Sequence, residues 1–285
     1  MSLVARDLVY HYPEAGSGAG TDVLNGLSLS VPSGRVVALC GAARTGRSTA
    51  LALMAGLAVP QGGAAMVDDA SAASLEARGR VGLLLQNADE ALFGLTVRED
   101  VMFAPLQLGL SPEDATVRAE RALRTVGLEP HRFALRSPFS LSGGQRRRAA
   151  VAGLLAMEPS YVLLDEPFVG LDPQGRDEIS AVVRSIATGG FTKRTGVLVA
   201  LSTLEGALAL ADDLVILHEG RAAWTGTAAE YAASPPEVEP WGLRQPPLVQ
   251  LARRLEQQGW SMPATGADTR AMAAAIAAHL KGTRR

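Results

Sequence analysis

Apolar and polar positions along this chain recur in two rhythms, short alternating or wholly apolar runs and longer stretches at helical spacing. "LVARDLVYHY" (3–12) reads as a strand, and "EAGSGAG" (14–20) as a flexible loop. "LSLSV" (27–31) alternates as a half-exposed strand does, and "PSG" turns it into "RVVALC" (35–40), which predicts a fully buried strand. An Ala/Leu-rich helix is expected over 48–57, a strand over 81–86, and a helix with a Ser-Pro start over 111–128. "SGGQRRRAAVAGLLAM" (142–157) predicts a helix opened by glycines, followed by the strands "YVLLD" (161–165) and "TGVLVALS" (195–202). "DLVILHEGRAAWTG" (213–226) predicts two strands joined by a turn at Glu219-Gly220. Strands alternating with helices imply a largely parallel sheet flanked by helices. From about Pro235 the pattern breaks into "SPPEVEPWGLRQPP", read as a linker, and then two short helices over 248–259 and 269–280. No internal repeat is visible.

Composition narrows the class. With 285 residues, 47% hydrophobic and 20% charged, the chain has room for one large α/β domain plus an appendage, or for two small domains, and enough apolar surface for a sizeable core. A net charge of −2 gives no support to wholesale nucleic-acid binding, and the run Arg146-Arg147-Arg148 reads as a solvated helix face. Cys40 is the only cysteine, which excludes an internal disulfide and a Cys-rich metal site; in an apolar strand it reads as a buried small hydrophobe. "MSLVARDLVYHY" carries no secretory pattern. The longest uncharged stretch, 48–67, is interrupted by Pro60, Gln61, Gly62 and Gly63, which argues against a membrane span.

The candidate chemistry begins at "GAARTGRST" (41–49), between the buried strand and the helix. Its spacing is that of a phosphate loop, Gly-x-x-x-x-Gly-Lys-Ser/Thr, with Arg47 in the lysine position. Glycines let successive N–H groups converge on phosphate oxygens, and the helix N-terminus adds a favourable dipole. Gly41 and Gly46 hold the outer positions, Ala42, Ala43, Arg44 and Thr45 fill the span, and Ser48 offers a metal-binding hydroxyl with Thr49 behind it. Arg47 keeps the charge, but its planar fork cannot make the compact contact of an ammonium group. Alone, the stretch reads equally as a glycine-rich turn.

"LSGGQ" (141–145) changes that reading, since chance would place it in about one chain of this length in a few thousand. About twenty residues on, "YVLLDEP" ends a strand in Asp165 and Glu166. The first carboxylate can bind Mg²⁺, and the next can orient or deprotonate a water. "GLDP" (170–173) follows at once.

In this order these motifs resemble the ATP-binding subunit of an ABC transporter, over about residues 2–232. "VGLLLQNADEALFGLTVREDVMFAPLQLGLSPED" (81–114) and the C-terminal "LRQPPLVQLARRLEQQGW" are similar to the energy-coupling-factor type, the ATPases of cobalt, nickel and vitamin importers. The resemblance implies a P-loop NTPase fold: a mainly parallel sheet, an antiparallel β subdomain, a helical subdomain at about 87–158, and a C-terminal helical extension over 233–285. It implies ATP and Mg²⁺ as cofactors, and a dimer with ATP between one subunit's phosphate loop and the other's LSGGQ. Ser142, Gly143, Gly144 and Gln145 would serve the partner's nucleotide. Asp165 and Ser48 would hold Mg²⁺, Gln86 would reach the metal or the attacking water, and Glu166 would act as general base or water-orienting carboxylate. Asp172 would pack across the dimer interface, and Tyr12 would stack on adenine. For Tyr12 alone a strand-end tyrosine is an equal reading.

The departures from the pattern are uneven. Arg47 replaces lysine, Arg44 stands where many members have a third glycine, and Ser202 falls where the family places a histidine that contacts the γ-phosphate. Thr203 replaces the acidic residue usual after it, and Ala88 a common proline. LSGGQ and Glu166 are intact. This contrast points to the weaker half of a heterodimeric ATPase pair. A homodimer in which Arg47 substitutes for lysine, and an ATP-gated module that hydrolyses nothing, are the alternatives. The resemblance further implies a peripheral subunit on the cytoplasmic face of the cell membrane. A membrane subunit would dock near Asp89 to Pro105, with Leu92, Phe93, Val97, Val101 and Phe103 in apolar contact; for each of these taken singly, a plain core residue is an equal reading. The tail beyond Pro235 reads as a small cap, or as a dimer contact or regulatory element.

Overall fold

The computed structural model describes residues 1–13, 21–77, 79–87, 92–260 and 268–282. The predicted loop at 14–20, Ala88 and Asp89 lie outside the described residues. Two sheets face each other. One is antiparallel: β1 (Ser2–Tyr12), β2 (Thr21–Pro32), β4 (Gly62–Val67) and β5 (Ala70–Ser71), in the order β2-β1-β4-β5. The other holds β3 (Val36–Cys40), β6 (Val81–Leu84), β7 (Tyr161–Asp165), β8 (Gly196–Leu201), β9 (Asp213–His218) and β10 (Arg221–Thr227), in the order β10-β9-β3-β8-β7-β6. Its strands are parallel except for the β9–β10 hairpin. The hairpin turns at Glu219-Gly220, where φ values of 47° and 73° fit the twist of a tight two-residue loop.

Every residue of β3, β7 and β8 is buried, as their unbroken apolar runs require of strands covered on both faces. Side-chain alternation divides β3 between two cores. Val37 and Leu39 point to the antiparallel sheet and to α1 (Arg47–Met54); Val36, Ala38 and Cys40 face the opposite layer of helices. That layer includes α5 (Gly143–Ala156), α6 (Pro173–Thr188) and α7 (Leu204–Leu210). A helical block of α2 (Val97–Gln107), α3 (Pro112–Thr125) and α4 (Pro130–Phe133) packs beside α5. Tyr161 of β7 joins the sheets by donating from its hydroxyl to Asp68 Oδ1 at 2.6 Å, while Arg80 pairs with the same carboxylate.

The chain continues through α8 (Ala228–Ala233), α9 (Pro247–Gln257) and α10 (Thr269–Gly282). The stretch 234–247 is not a solvated linker. Val238 and Leu243 lie in the main core, and buried Gln245 accepts from the Tyr231 hydroxyl at 2.8 Å while donating to the Pro236 carbonyl. Trp260, three residues beyond α9, stacks on His279 of α10, centroid to centroid 3.8 Å.

Register fixes where the site must be. Cys40 aligns with Leu201, Asp165 with Ala200, and Leu84 with Leu164. The loops that follow β3, β6, β7 and β8 therefore leave the sheet side by side at its carboxyl edge, the place where open α/β sheets bind ligands.

Candidate nucleotide site

The loop 41–46 is shaped by close approaches. A Cβ on Gly41 would lie 2.6 Å from Thr45 Oγ1 and 2.7 Å from the Leu217 carbonyl, so only glycine fits there. Gly46 caps α1 at φ 100°, and the Thr45 hydroxyl donates to the Ala42 carbonyl at 2.9 Å. Arg44 holds φ 64°, so it retains the left-handed backbone that a glycine adopts freely. Ala43 and Ser48 are exposed, and Thr49 is buried. The structure brings Tyr12 to this helix: its hydroxyl lies 3.2 Å from Thr49 Oγ1, and its half-exposed ring meets Tyr10 edge-on at 5.1 Å.

Arg47 turns back into its own loop. One guanidinium nitrogen donates to the Gly41 carbonyl and to that of Ala42 at 3.0 Å; the other donates to Glu166 Oε1 at 2.8 Å. Both side chains are largely buried, at 12% and 11% exposure, and Arg47 Nε has no hydrogen-bond partner among the described residues. The cation of the phosphate loop and the candidate catalytic carboxylate thus neutralise each other. Cys40, directly beneath, is a buried thiol pushed up to about 12, chiefly by burial; nearby Arg47 opposes the shift and Glu166 adds to it. It behaves as the inert small hydrophobe its strand predicted.

Asp165 closes β7 at 4% exposure, and Glu166 follows at φ 46°, an unusual backbone for a non-glycine residue. The Glu166 N–H donates to the Ala200 carbonyl at 3.0 Å. Ser202 is exposed at the end of β8 and lines a cleft of about 470 Å³ with Glu166, Thr203, Arg176 and Asp177. Gln86 is also exposed.

Ser142 is the N-cap of α5. Its hydroxyl accepts from the Gln145 N–H at 3.3 Å, and the Gln145 side chain accepts from the Ser142 N–H at 3.1 Å. Ser142 and Gly143 are exposed, and a Cβ on Gly144 would meet Leu171 at 3.6 Å. Asp172 has an intramolecular task that its motif does not announce: it caps α6 by accepting from the Gly175 N–H at 2.8 Å.

The arginine run corrects the expectation of a solvated face. Arg147 is 6% exposed and donates to the carbonyls of Glu166 at 3.1 Å and Gln86 at 2.8 Å. Arg146 donates to the Leu141 carbonyl, and Arg148 pairs with Glu178 at 3.1 Å. These are not solvated side chains. The signal is present in the sequence: Arg147 precedes Ala150, Val151 and Leu154 at helical spacing, and so lies on the inward stripe.

The expected docking segment divides. Leu92, Val97 and Val101 are core residues, whereas Phe93 is 64% exposed and Phe103 45%. α2 needs its inner stripe to pack on α3 and α5, which accounts for Val97 and Val101. The two phenylalanines meet edge-to-face at 4.9 Å beside an apolar groove of about 590 Å³, lined also by Leu57, Leu83, Leu85 and Leu154. Asp100 holds the turn below them, accepting from the N–H groups of Phe93 and Gly94, each at 2.9 Å.

The donor set fits Mg²⁺. A serine hydroxyl and a strand-end carboxylate are hard oxygen ligands, and this ion needs only one or two protein groups when phosphates and waters complete its shell. Among the described residues no cluster of three or more His, Cys, Asp or Glu could hold a metal by itself.

The family model described as ABC transporter matches residues 24–169. The energy-coupling factor transporter ATP-binding protein EcfA2 of Symbiobacterium thermophilum is 40% identical over 267 residues, covering 91% of this chain and 90% of the relative. EcfA1 of the same organism is 36% identical over 274 residues, covering 92% of each. Among solved structures, cbiO1 from Clostridium perfringens, described as part of the ABC transporter complex cbiONQ, aligns with a TM-score of 0.72 at 28% identity. That alignment covers 90% of this chain and 96% of cbiO1. The chain belongs to the ABC transporter family, as an ATP-binding, ATP-hydrolysing cassette of the energy-coupling-factor type.

Proposed function

We propose that this chain energises a membrane importer of the energy-coupling-factor type, paired with a second ATP-binding subunit, and that it builds the slower of the two composite sites. ATP would lie between residues 41–49 of this chain and the partner's LSGGQ, while Ser142–Gln145 would face the partner's nucleotide. Backbone N–H groups of the loop and the N-terminus of α1 would hold the phosphates, with Tyr12 against the base. Ser48 and Asp165 would hold Mg²⁺, with Gln86 reaching toward it; the ion supplies charge neutralisation on the phosphates. Glu166 would orient and deprotonate the attacking water, and Ser202 would offer a hydrogen bond where an imidazole is usual. Asp172 would lie at the dimer interface.

The observation that carries the slower-site reading is the pair Arg47–Glu166 at 2.8 Å. The pair takes up one of the two Glu166 oxygens that a water could approach, and a guanidinium bonded to the loop's carbonyls is not free for phosphate. A lysine lacks the two-pronged fork needed to hold both partners at once. The occurrence of EcfA1 and EcfA2 in one organism, both similar to this chain, supports a pair of unlike subunits. The groove beside Phe93 and Phe103 supports docking of an apolar element of the membrane subunit. No helix among the described residues is long and apolar enough to cross a membrane, which suits a subunit held at the membrane by its partners.

The test is ATP turnover by the chain alone and with its partner subunit, in wild type and Arg47→Lys. We expect little turnover alone and a gain of about tenfold or more in this chain's site for Arg47→Lys, within the range of one oxyanion-stabilising contact. Brisk turnover by the isolated protein, undiminished by Arg47→Ala, would overturn the slower-site reading. Unchanged turnover in Arg47→Lys would favour the homodimer.

A further inference from the structure

We propose that Arg147 is a positioning residue for ATP hydrolysis, a buried fork that fixes the backbones at Gln86 and Glu166 to the helix that begins with LSGGQ. Arg147 is the fifth residue of α5, four positions after its first glycine, and is 6% exposed. One arm reaches the carbonyl of Glu166 at 3.1 Å, the other the carbonyl of Gln86 at 2.8 Å. These two residues follow adjacent strands, β7 and β6, whose ends align at Leu84 and Leu164. A guanidinium buried this far must have its donors satisfied, and these two carbonyls take one donor from each arm.

The contact matters most at Glu166. A non-glycine residue at φ 46° persists only when its surroundings hold it from several sides. Its N–H is tied to Ala200, and its carbonyl receives both Arg147 and the Val169 N–H at 3.3 Å. Arg147 is the one of these holds that comes from α5. Arg148 ties the same helix to Glu178 of α6, and Arg146 secures its first turn through Leu141. The helix therefore moves with the two loops as one unit.

The consequence rests on the dimer reading above. LSGGQ at the head of α5 would contact the partner's nucleotide, whereas Glu166 and Gln86 would serve this chain's own. Arg147 would then transmit the occupancy of one composite site to the geometry of the other. Lysine at 147 could reach one carbonyl but not span both.

The experiment compares wild type, Arg147→Lys and Arg147→Met, each also in the Arg47→Lys background so that a slow site does not hide the effect. Amide hydrogen exchange on the nucleotide-free chain should rise about tenfold at 85–87 and 166–169, the order expected for losing a charge-assisted bond, with the strands β3 and β8 unchanged. In the assembled dimer, single-turnover hydrolysis by this chain's site should fall about tenfold or more with KM within about twofold, since geometry and not binding is lost. Arg147→Lys should retain the fold and recover only part of the rate. Unchanged exchange at both loops in a folded Arg147→Met would overturn the clamp. Locally raised exchange with unchanged turnover in both backgrounds would overturn its role in hydrolysis. If Arg47→Lys fails to raise turnover, the slower-site reading falls, and the Arg147 comparison is then read in the wild-type background.

Discussion

At the scale of single residues, position 47 decides more than its charge suggests. Lysine and arginine are both cations, but only the planar fork can hold two loop carbonyls and a carboxylate together. From sequence, the substitution is legible as a departure; its contact with Glu166 is not, because 119 residues separate the two. Arg44 is a similar case. The letter looks like a lost glycine, yet the backbone keeps the glycine conformation, so the loop tolerates the side chain without changing course. For Glu166→Gln we expect turnover at this site to fall by about 100-fold or more, the usual worth of a positioned base, and the ATP-bound dimer to live longer. Stopped-flow phosphate release and size-exclusion chromatography with ATP would read the two effects. Were both unchanged, Glu166 would not be the base.

Among the elements, the wholly buried strands are the most legible, because an apolar run without alternation must be covered on both faces. β3, β7 and β8 lie within a residue or two of where periodicity places them, and the glycine-opened helix is α5. β4, α2, α6 and α7 are not foreseen. α6 has its signals, with Asp172 as N-cap, Pro173 at the first turn and Gly189 in the left-handed region at its end, but the "GLDP" motif draws them into a different reading. α2 carries Pro105 and a polar first turn, which hide its apolar stripe. The arginine run misleads for the opposite reason: three charges in a row suggest water, while helical spacing sends the middle one inward. On the docking face we expect Phe93→Asp to leave the melting temperature nearly unchanged, since the residue is exposed, and to abolish co-purification with the membrane subunit. Retained complex formation by the folded variant would remove the groove from consideration.

For the molecule as a whole, polar contacts join the two sheets, and Tyr161 with Asp68 is one of them. Asp68 is partly buried, which favours its neutral form, but the Tyr161 hydroxyl and then Arg80 outweigh this and hold it below the usual carboxylate range. Its folded-state value is thus lower than its unfolded value. The contribution to stability is present above the unfolded value of about 4 and is lost as pH falls through the lowered one. Tyr161→Phe should cost roughly 2 kcal/mol at neutral pH and move the acid-unfolding midpoint to higher pH, measured by circular dichroism against pH. An unshifted acid midpoint would show that the pair does not bind the sheets together. The seating of Gly242 has a different consequence, for where the chain can be divided. A Cβ there would lie 3.2 Å from that of Ala42, at a residue whose φ is already 71°. The change in composition near Pro235 suggests a place to cut. A chain ending at Ala233 would lack Val238 and Leu243 from its core, and Trp241 and Gly242 from the cleft they line with Ala42, Arg44 and Thr45. What looks like a detachable tail is, in its first ten residues, part of the main core and one wall of the cleft beside residues 42–45.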